Sequence, residues 1–205
     1  MKRARLAILL ISGLLAAAPA ARADEKTKET PGPGPEVKKL GYFLGTWNCV
    51  GQVMPNALMP AGRYTWTDKC DWFPGGFQVV CYSAGRSPMG PTKGLAILAY
   101  DPEEKTYTYR GIDNSGSSSA ARGTVEGNDW TYTSEEKVNG KTLHGRYSMT
   151  TSPTSYSFRY ETSEDGKNWA LVMEGKTMRP VKKERPERER ERERKREPAE
   201  PHEMK

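Results

Sequence analysis

Arg63-Tyr64-Thr65-Trp66-Thr67-Asp68-Lys69-Cys70-Asp71-Trp72 is the stretch that decides the fold. Tyr64, Trp66, Asp68, Cys70 and Trp72 fall on one parity, and Arg63, Thr65, Thr67, Lys69 and Asp71 on the other. A period of two with one largely apolar face is the pattern of a half-buried β-strand. The same alternation recurs downstream. Tyr107 and Tyr109 alternate with threonines, as do Trp130 and Tyr132, while Tyr156, Phe158 and Tyr160 alternate with Ser155, Ser157 and Arg159. Trp169, Leu171 and Met173 form the last such row.

Turn residues separate these rows: Pro74-Gly75-Gly76, Asp101-Pro102, Gly127-Asn128, Asn139-Gly140, Ser152-Pro153 and Asp165-Gly166. Asn139-Gly140 is the strongest two-residue hairpin signal. The pattern predicts about ten strands, at 46–53, 62–73, 76–85, 94–101, 104–112, 118–126, 129–138, 141–152, 154–163 and 168–179. Only 37–44 reads as helical, for a turn or two. The links are short, so neighbouring strands should pair antiparallel in an up-and-down meander. Closing it into a barrel removes exposed edges, with a sandwich as the alternative. The fold class expected is therefore all-β, an antiparallel up-and-down barrel with a short N-terminal helical turn.

In a meander alternate links share an end. Links 54–61, 85–93 and 113–117 fall together and read as long, whereas the links at the opposite end are tight. A closed base and a loop-rich mouth follow. The mouth carries Met54, Leu58, Met59 and Met89, adaptable apolar side chains that suit either a lid over an apolar ligand or a plug.

The chain's ends have a different composition. Residues 1–23 carry four basic side chains and no acid, with an apolar run at 6–18 and a small-x-small site at Ala21-Arg22-Ala23. This is the pattern of a secretory signal peptide, which predicts a periplasmic or secreted protein and a compartment where disulfides persist. Residues 24–35 are polar, with proline and glycine alternating over 31–35, and read as a flexible linker, leaving 36–181 as the folded domain. Residues 182–205 hold ten basic and eight acidic side chains, with Arg and Glu strictly alternating over 187–194. On a helix that alternation sets opposite charges three apart and like charges four apart, which largely cancel, so a disordered tail with no identifiable partner is expected. The formal charge of +6 resides in these two ends, because residues 24–181 hold 18 side chains of each sign. A neutral folded part argues against nucleic acid as a partner. Beyond the leader no stretch is apolar enough to span a bilayer as a helix.

A family resemblance is carried by Leu44-Gly45-Thr46-Trp47-Asn48-Cys49-Val50-Gly51, then Trp72-Phe73-Pro74-Gly75-Gly76-Phe77, Ala99-Tyr100-Asp101-Pro102, Tyr107, Asp113-Asn114-Ser115-Gly116 and Trp130. A short helix leading into Gly-x-Trp resembles the entry of lipocalin-like (calycin) barrels. The whole series resembles exported bacterial proteins of the domain-of-unknown-function family 1579. The resemblance covers about 40–179 and implies a fold and export, with no established activity. It also implies that Arg179 packs over Trp47 where the last strand meets the first, with Gly45 opening that first strand. Haem-binding relatives among small bacterial calycins use a His on a late strand, and the last strand here has none. No cofactor is expected.

The remaining chemistry is sparse. His144 is the single histidine of the folded part and falls on the outward parity beside Arg146. Met54, Met59 and Met89 are chemically competent for Cu(I), but their spacing specifies nothing, and no metal site is expected. A turn centred on Gly75-Gly76 pairs residues summing to 151, which sets Cys70 opposite Cys81. A Cys70–Cys81 disulfide is expected, with Cys49–Cys70 and Cys49–Cys81 as alternatives and the odd thiol buried and inert. Asp68 is the one acid on its aromatic face. It is either a wall residue or a polar anchor inside a cavity with Tyr64, Trp66, Tyr107, Tyr109, Tyr132, Tyr147 and Met173. Such a lining suits a small apolar or amphipathic ligand. A plugged barrel that docks through its mouth loops or tail is the alternative. An enzyme would need Asp68 paired with a cavity tyrosine or an arginine, and no catalytic pair has a readable spacing.

Overall fold

The alternation becomes ten antiparallel strands in the computed structural model, which describes residues 32–181 except 57, 58 and 139. They are β1 (Gly45–Val53), β2 (Gly62–Trp72), β3 (Gln78–Ser87), β4 (Gly90–Asp101), β5 (Thr106–Asp113), β6 (Ser118–Glu126), β7 (Asp129–Val138), β8 (Lys141–Ser152), β9 (Ser155–Ser163) and β10 (Ala170–Met178). Each strand pairs with its neighbours in sequence, and β1 pairs with β10 to close the barrel. That last ladder runs from Asn48 opposite Met178 to Val53 opposite Met173. Closure leaves no strand edge unpaired along its whole length, which is how an all-antiparallel sheet avoids edge-to-edge association. The expected leader and tail lie outside the described residues.

A short helix α1 (Pro35–Lys39) runs into a 3₁₀ turn (Leu40–Phe43). Pro35 opens the helix, where its missing N–H costs nothing, so it belongs to the folded domain rather than to the linker. Leu40 and Phe43 are buried in the barrel core and stop its base. Polar contacts fix the plug. The Tyr107 hydroxyl donates to Glu36 O at 3.1 Å, and Trp47 Nε1 donates to Phe43 O at 2.8 Å. Arg179 donates to Leu44 O at 2.8 Å and Tyr42 O at 2.9 Å while its guanidinium lies 4.1 Å from the centre of the Trp47 ring. The backbone at Gly45 has φ of +93°, which a residue with a Cβ rarely adopts, and a Cβ there would sit 3.2 Å from Arg179 Nη1.

Two expectations need correction. Residues 85–93 are not a long loop. The β3–β4 ladder continues through Gly85 opposite Thr92, Arg86 opposite Pro91 and Ser87 opposite Gly90, so only Pro88 and Met89 form the turn. The glycines that read as loop punctuation have other duties. Gly90 takes φ of +113° in the turn, and a Cβ on Gly85 would collide with the Thr65 carbonyl and with Trp66 on β2. The longest mouth links are therefore 54–61 and 164–169. Trp169 is not part of an inward row either. A β-bulge shifts the β10 register between Leu171 and Met173, and the Val172 carbonyl accepts the Met54 N–H at 2.8 Å. Such a bulge re-aims the residues on either side. Met173 turns into the barrel, and Trp169 lies under Arg146, 4.2 Å from its guanidinium. Arg146 shares its outward face with His144 and is held by Glu161 at 2.9 Å.

Candidate functional site

The barrel encloses a cavity of about 420 Å³. Its two walls differ in kind. Strands β3, β4 and β6 contribute small side chains, among them Ser83, Ala96, Ser119 and Ala121, beside Leu98 and the Tyr109 ring of β5, while β1, β2, β8 and β9 contribute Trp47, Trp66, Tyr147, Tyr156 and Tyr160. Small residues facing large ones would ordinarily interdigitate into a filled core. Here glycines hold the large rings against the wall instead. A Cβ on Gly51 would lie 2.2 Å from the Tyr64 hydroxyl, one on Gly111 2.5 Å from that of Tyr109, one on Gly123 2.7 Å from the Tyr132 ring, and one on Gly145 2.9 Å from the Tyr160 hydroxyl. Each ring occupies the place a side chain would have taken, which leaves the lumen open.

Trp66, Asp68, Tyr109, Tyr132, Tyr147 and Met173 line the cavity, and so does the Cys70–Cys81 pair, which is disulfide-bonded. Tyr64 and Tyr107 are buried but do not line it. Tyr64 stacks on Trp66 with ring centres 4.6 Å apart and donates to Glu174 O, while Tyr107 belongs to the base plug beside Trp130. Of the mouth residues, Met59 packs against the core and Met54 is half-buried, whereas Met89 at the tip of the β3–β4 turn is 68% exposed. Leu58 lies outside the described residues. Cys49 is buried and unpaired, and burial pushes its thiol up to about 12, so it carries no thiolate at neutral pH.

Asp68 is the polar centre of the lumen. One carboxylate oxygen accepts a short hydrogen bond from Ser83 Oγ, and the other accepts Trp66 Nε1 at 3.2 Å. Burial holds its pKa above the ordinary carboxylate value, and the two hydrogen bonds work against that rise. Among the described residues no Lys, Arg or His lines the cavity, and Asp68 takes part in no ion pair. The Tyr132 hydroxyl is buried without a hydrogen-bond partner. Among the described residues no cluster of three or more His, Cys, Asp or Glu side chains is placed to hold a metal ion.

The wall has one gap. Strands β6 and β7 pair only from Glu126 opposite Asp129 as far as Arg122 opposite Thr133, although both continue toward the mouth. An outer groove of about 560 Å³ follows the gap, and it shares Tyr109, Ala120, Ala121 and Ser134 with the cavity. Neither the gap nor the small-residue wall was readable from strand periodicity. The glycine seats did leave a signal, since Gly51 faces Tyr64 and Gly123 faces Tyr132 in ladders whose registers the turns set.

Residues 32–179 match the family model described as protein of unknown function DUF1579. The chain belongs to this DUF1579 family. No curated protein matches the chain. Among solved structures, the crystal structure of Rv2717c from M. tuberculosis is similar in fold, with a TM-score of 0.54 at 12% identity over 73% of this chain and 99% of that one. At that identity the likeness extends to the fold. The DUF1579 assignment names no reaction, so function has to be argued from the lumen itself.

Proposed function

We propose that this DUF1579 protein is an exported barrel that binds a small apolar or amphipathic molecule in its lumen. The observation that carries the reading is an interior of about 420 Å³ kept open by glycine-seated tyrosines. That volume falls in the range of small-molecule sites, roughly 300–1,000 Å³. Aromatic faces supply contact area, and Asp68 and Ser83 fix orientation. The gap between β6 and β7 is the entry path, since its groove is continuous with the cavity lining. Export accords with the disulfide and with the apolar N-terminal run.

Native mass spectrometry of protein purified from its own host tests the reading. A bound small molecule is expected. Its absence, together with no quenching of intrinsic tryptophan fluorescence by any member of a panel of apolar probes, would overturn it. Docking to another protein is the second reading, and exposed Met89 favours it. A Met89→Asp variant that loses a captured partner while keeping an empty lumen would favour docking over binding.

A further inference from the structure

The lumen is electrostatically one-sided. Among the described residues it holds one carboxyl group and no basic side chain, and four ionisable groups that interact electrostatically with Asp68 are Cys49, Tyr109, Tyr147 and Tyr156. All four are weak acids, and none can neutralise a carboxylate. Burying an unpaired carboxylate is unfavourable, and two neutral donors offset only part of the cost. A positively charged group beside Asp68 would supply the missing partner. The surrounding surface suits such a group, because ammonium ions are attracted to the faces of Trp and Tyr. Trp66 and Tyr147 provide those faces on the same wall.

We infer that the ligand of this barrel is an aromatic or alicyclic amine, its ammonium group set against Asp68 and its hydrocarbon body between the aromatic and small-residue walls. This rests on the reading of the barrel as a ligand carrier and narrows that reading to one ligand class. The ammonium donates to Asp68. A carboxylate ligand is excluded by repulsion from Asp68 and by the lack of a cation to receive it.

The experiment compares three molecules with the same ring system: 1-naphthylmethylamine, 1-naphthalenemethanol and 1-naphthoic acid. Their binding to the disulfide-bonded protein is measured by isothermal titration calorimetry at pH 7. The amine is expected to bind at least about tenfold more tightly than the alcohol, and the acid most weakly. Asp68→Asn is expected to weaken the amine more than the alcohol, so that the amine's advantage over the alcohol collapses to within about twofold. Equal affinity for amine and alcohol, or tighter binding of the acid, would overturn the assignment while leaving ligand binding standing. Failure of all three to bind would overturn the amine assignment, and would overturn ligand binding as well if native mass spectrometry also found no bound molecule. The wild-type comparison alone decides the matter if the Asp68 variant does not fold.

Discussion

Replacing Arg179 by alanine tests how the barrel is closed. Arg179 follows the last strand, and its guanidinium reaches back to the entry of the first. It donates to Leu44 O and Tyr42 O at 2.8 and 2.9 Å and covers the Trp47 ring at 4.1 Å. The side chain is half-buried, so water can partly replace what alanine removes. Each of the two bonds is then worth about 1 kcal/mol, toward the low end for charged donors. The cation–π contact adds about 1 kcal/mol. The expected loss is therefore about 3 kcal/mol, and for a domain of this size the melting temperature should fall by about 6–12 °C. Urea unfolding at pH 7, followed by tryptophan fluorescence and by circular dichroism, measures it. Arg179→Lys retains the charge over Trp47 but cannot fork to both carbonyls, and should lose roughly half as much. In a double-mutant cycle, Arg179→Ala and Trp47→Leu should couple by about 1 kcal/mol. A loss below about 1 kcal/mol for Arg179→Ala, or a lysine variant no better than alanine, would refute the view that this contact holds the two ends of the sheet together. Phe43 and Trp47 also floor the cavity, so the alanine variant should bind luminal probes more weakly.

Other expectations follow from the same geometry. Replacing both Cys70 and Cys81 by serine opens a link between residues 11 apart and should cost about 3 kcal/mol in denaturant unfolding, by the chain-entropy estimate. Because burial raises the pKa of Asp68, the stability tied to its neutral form is complete below its unfolded value and is lost as pH rises through the folded one. The stability difference between Asp68→Asn and wild type should accordingly move in the variant's favour as pH is raised over that window. The constant offset is set by the lost Trp66 bond, and unfolding curves at successive pH values reveal it. In Gly111→Ala the nearest atoms the new methyl meets belong to the side chains of Tyr109 and Ser119, so it should push the tyrosine into the lumen, which titration with a luminal probe would register as weaker binding without loss of the fold. Cysteines at Ala121 and Ser134, introduced with Cys49→Ala, would face each other across the β6–β7 gap if the register ran on. Their oxidation should slow ligand association in stopped-flow fluorescence, and unchanged rates would exclude this gap as the entry.

Strand periodicity alone determined the fold class, the inward face of β2 and the bounds of β6, β7 and β8, because an antiparallel hairpin is a local object whose side chains alternate with period two. The Cys70–Cys81 pair was legible for the same reason, since a short turn sets the register on both sides of it. Trp169 was not, because a bulge at Val172 inserts one residue into the alternation, and nothing in the local pattern marks where the ladder shifts. The run 85–93 misled because glycine and proline mark turns in a sequence, whereas Gly85 is needed to let Trp66 approach across a ladder. The candidate site divided along the same line. That Asp68, Trp66, Tyr109, Tyr132 and Tyr147 face inward is a property of single strands. Their meeting around an open space, while Tyr64 and Tyr107 are spent on the stack over Trp66 and on the base plug, is a property of the closed barrel. Whether ten inward faces fill a lumen or leave it open depends on side-chain volumes summed across strands distant in sequence. Only the tertiary structure sets small residues of β3, β4 and β6 opposite the rings of β1, β2, β8 and β9.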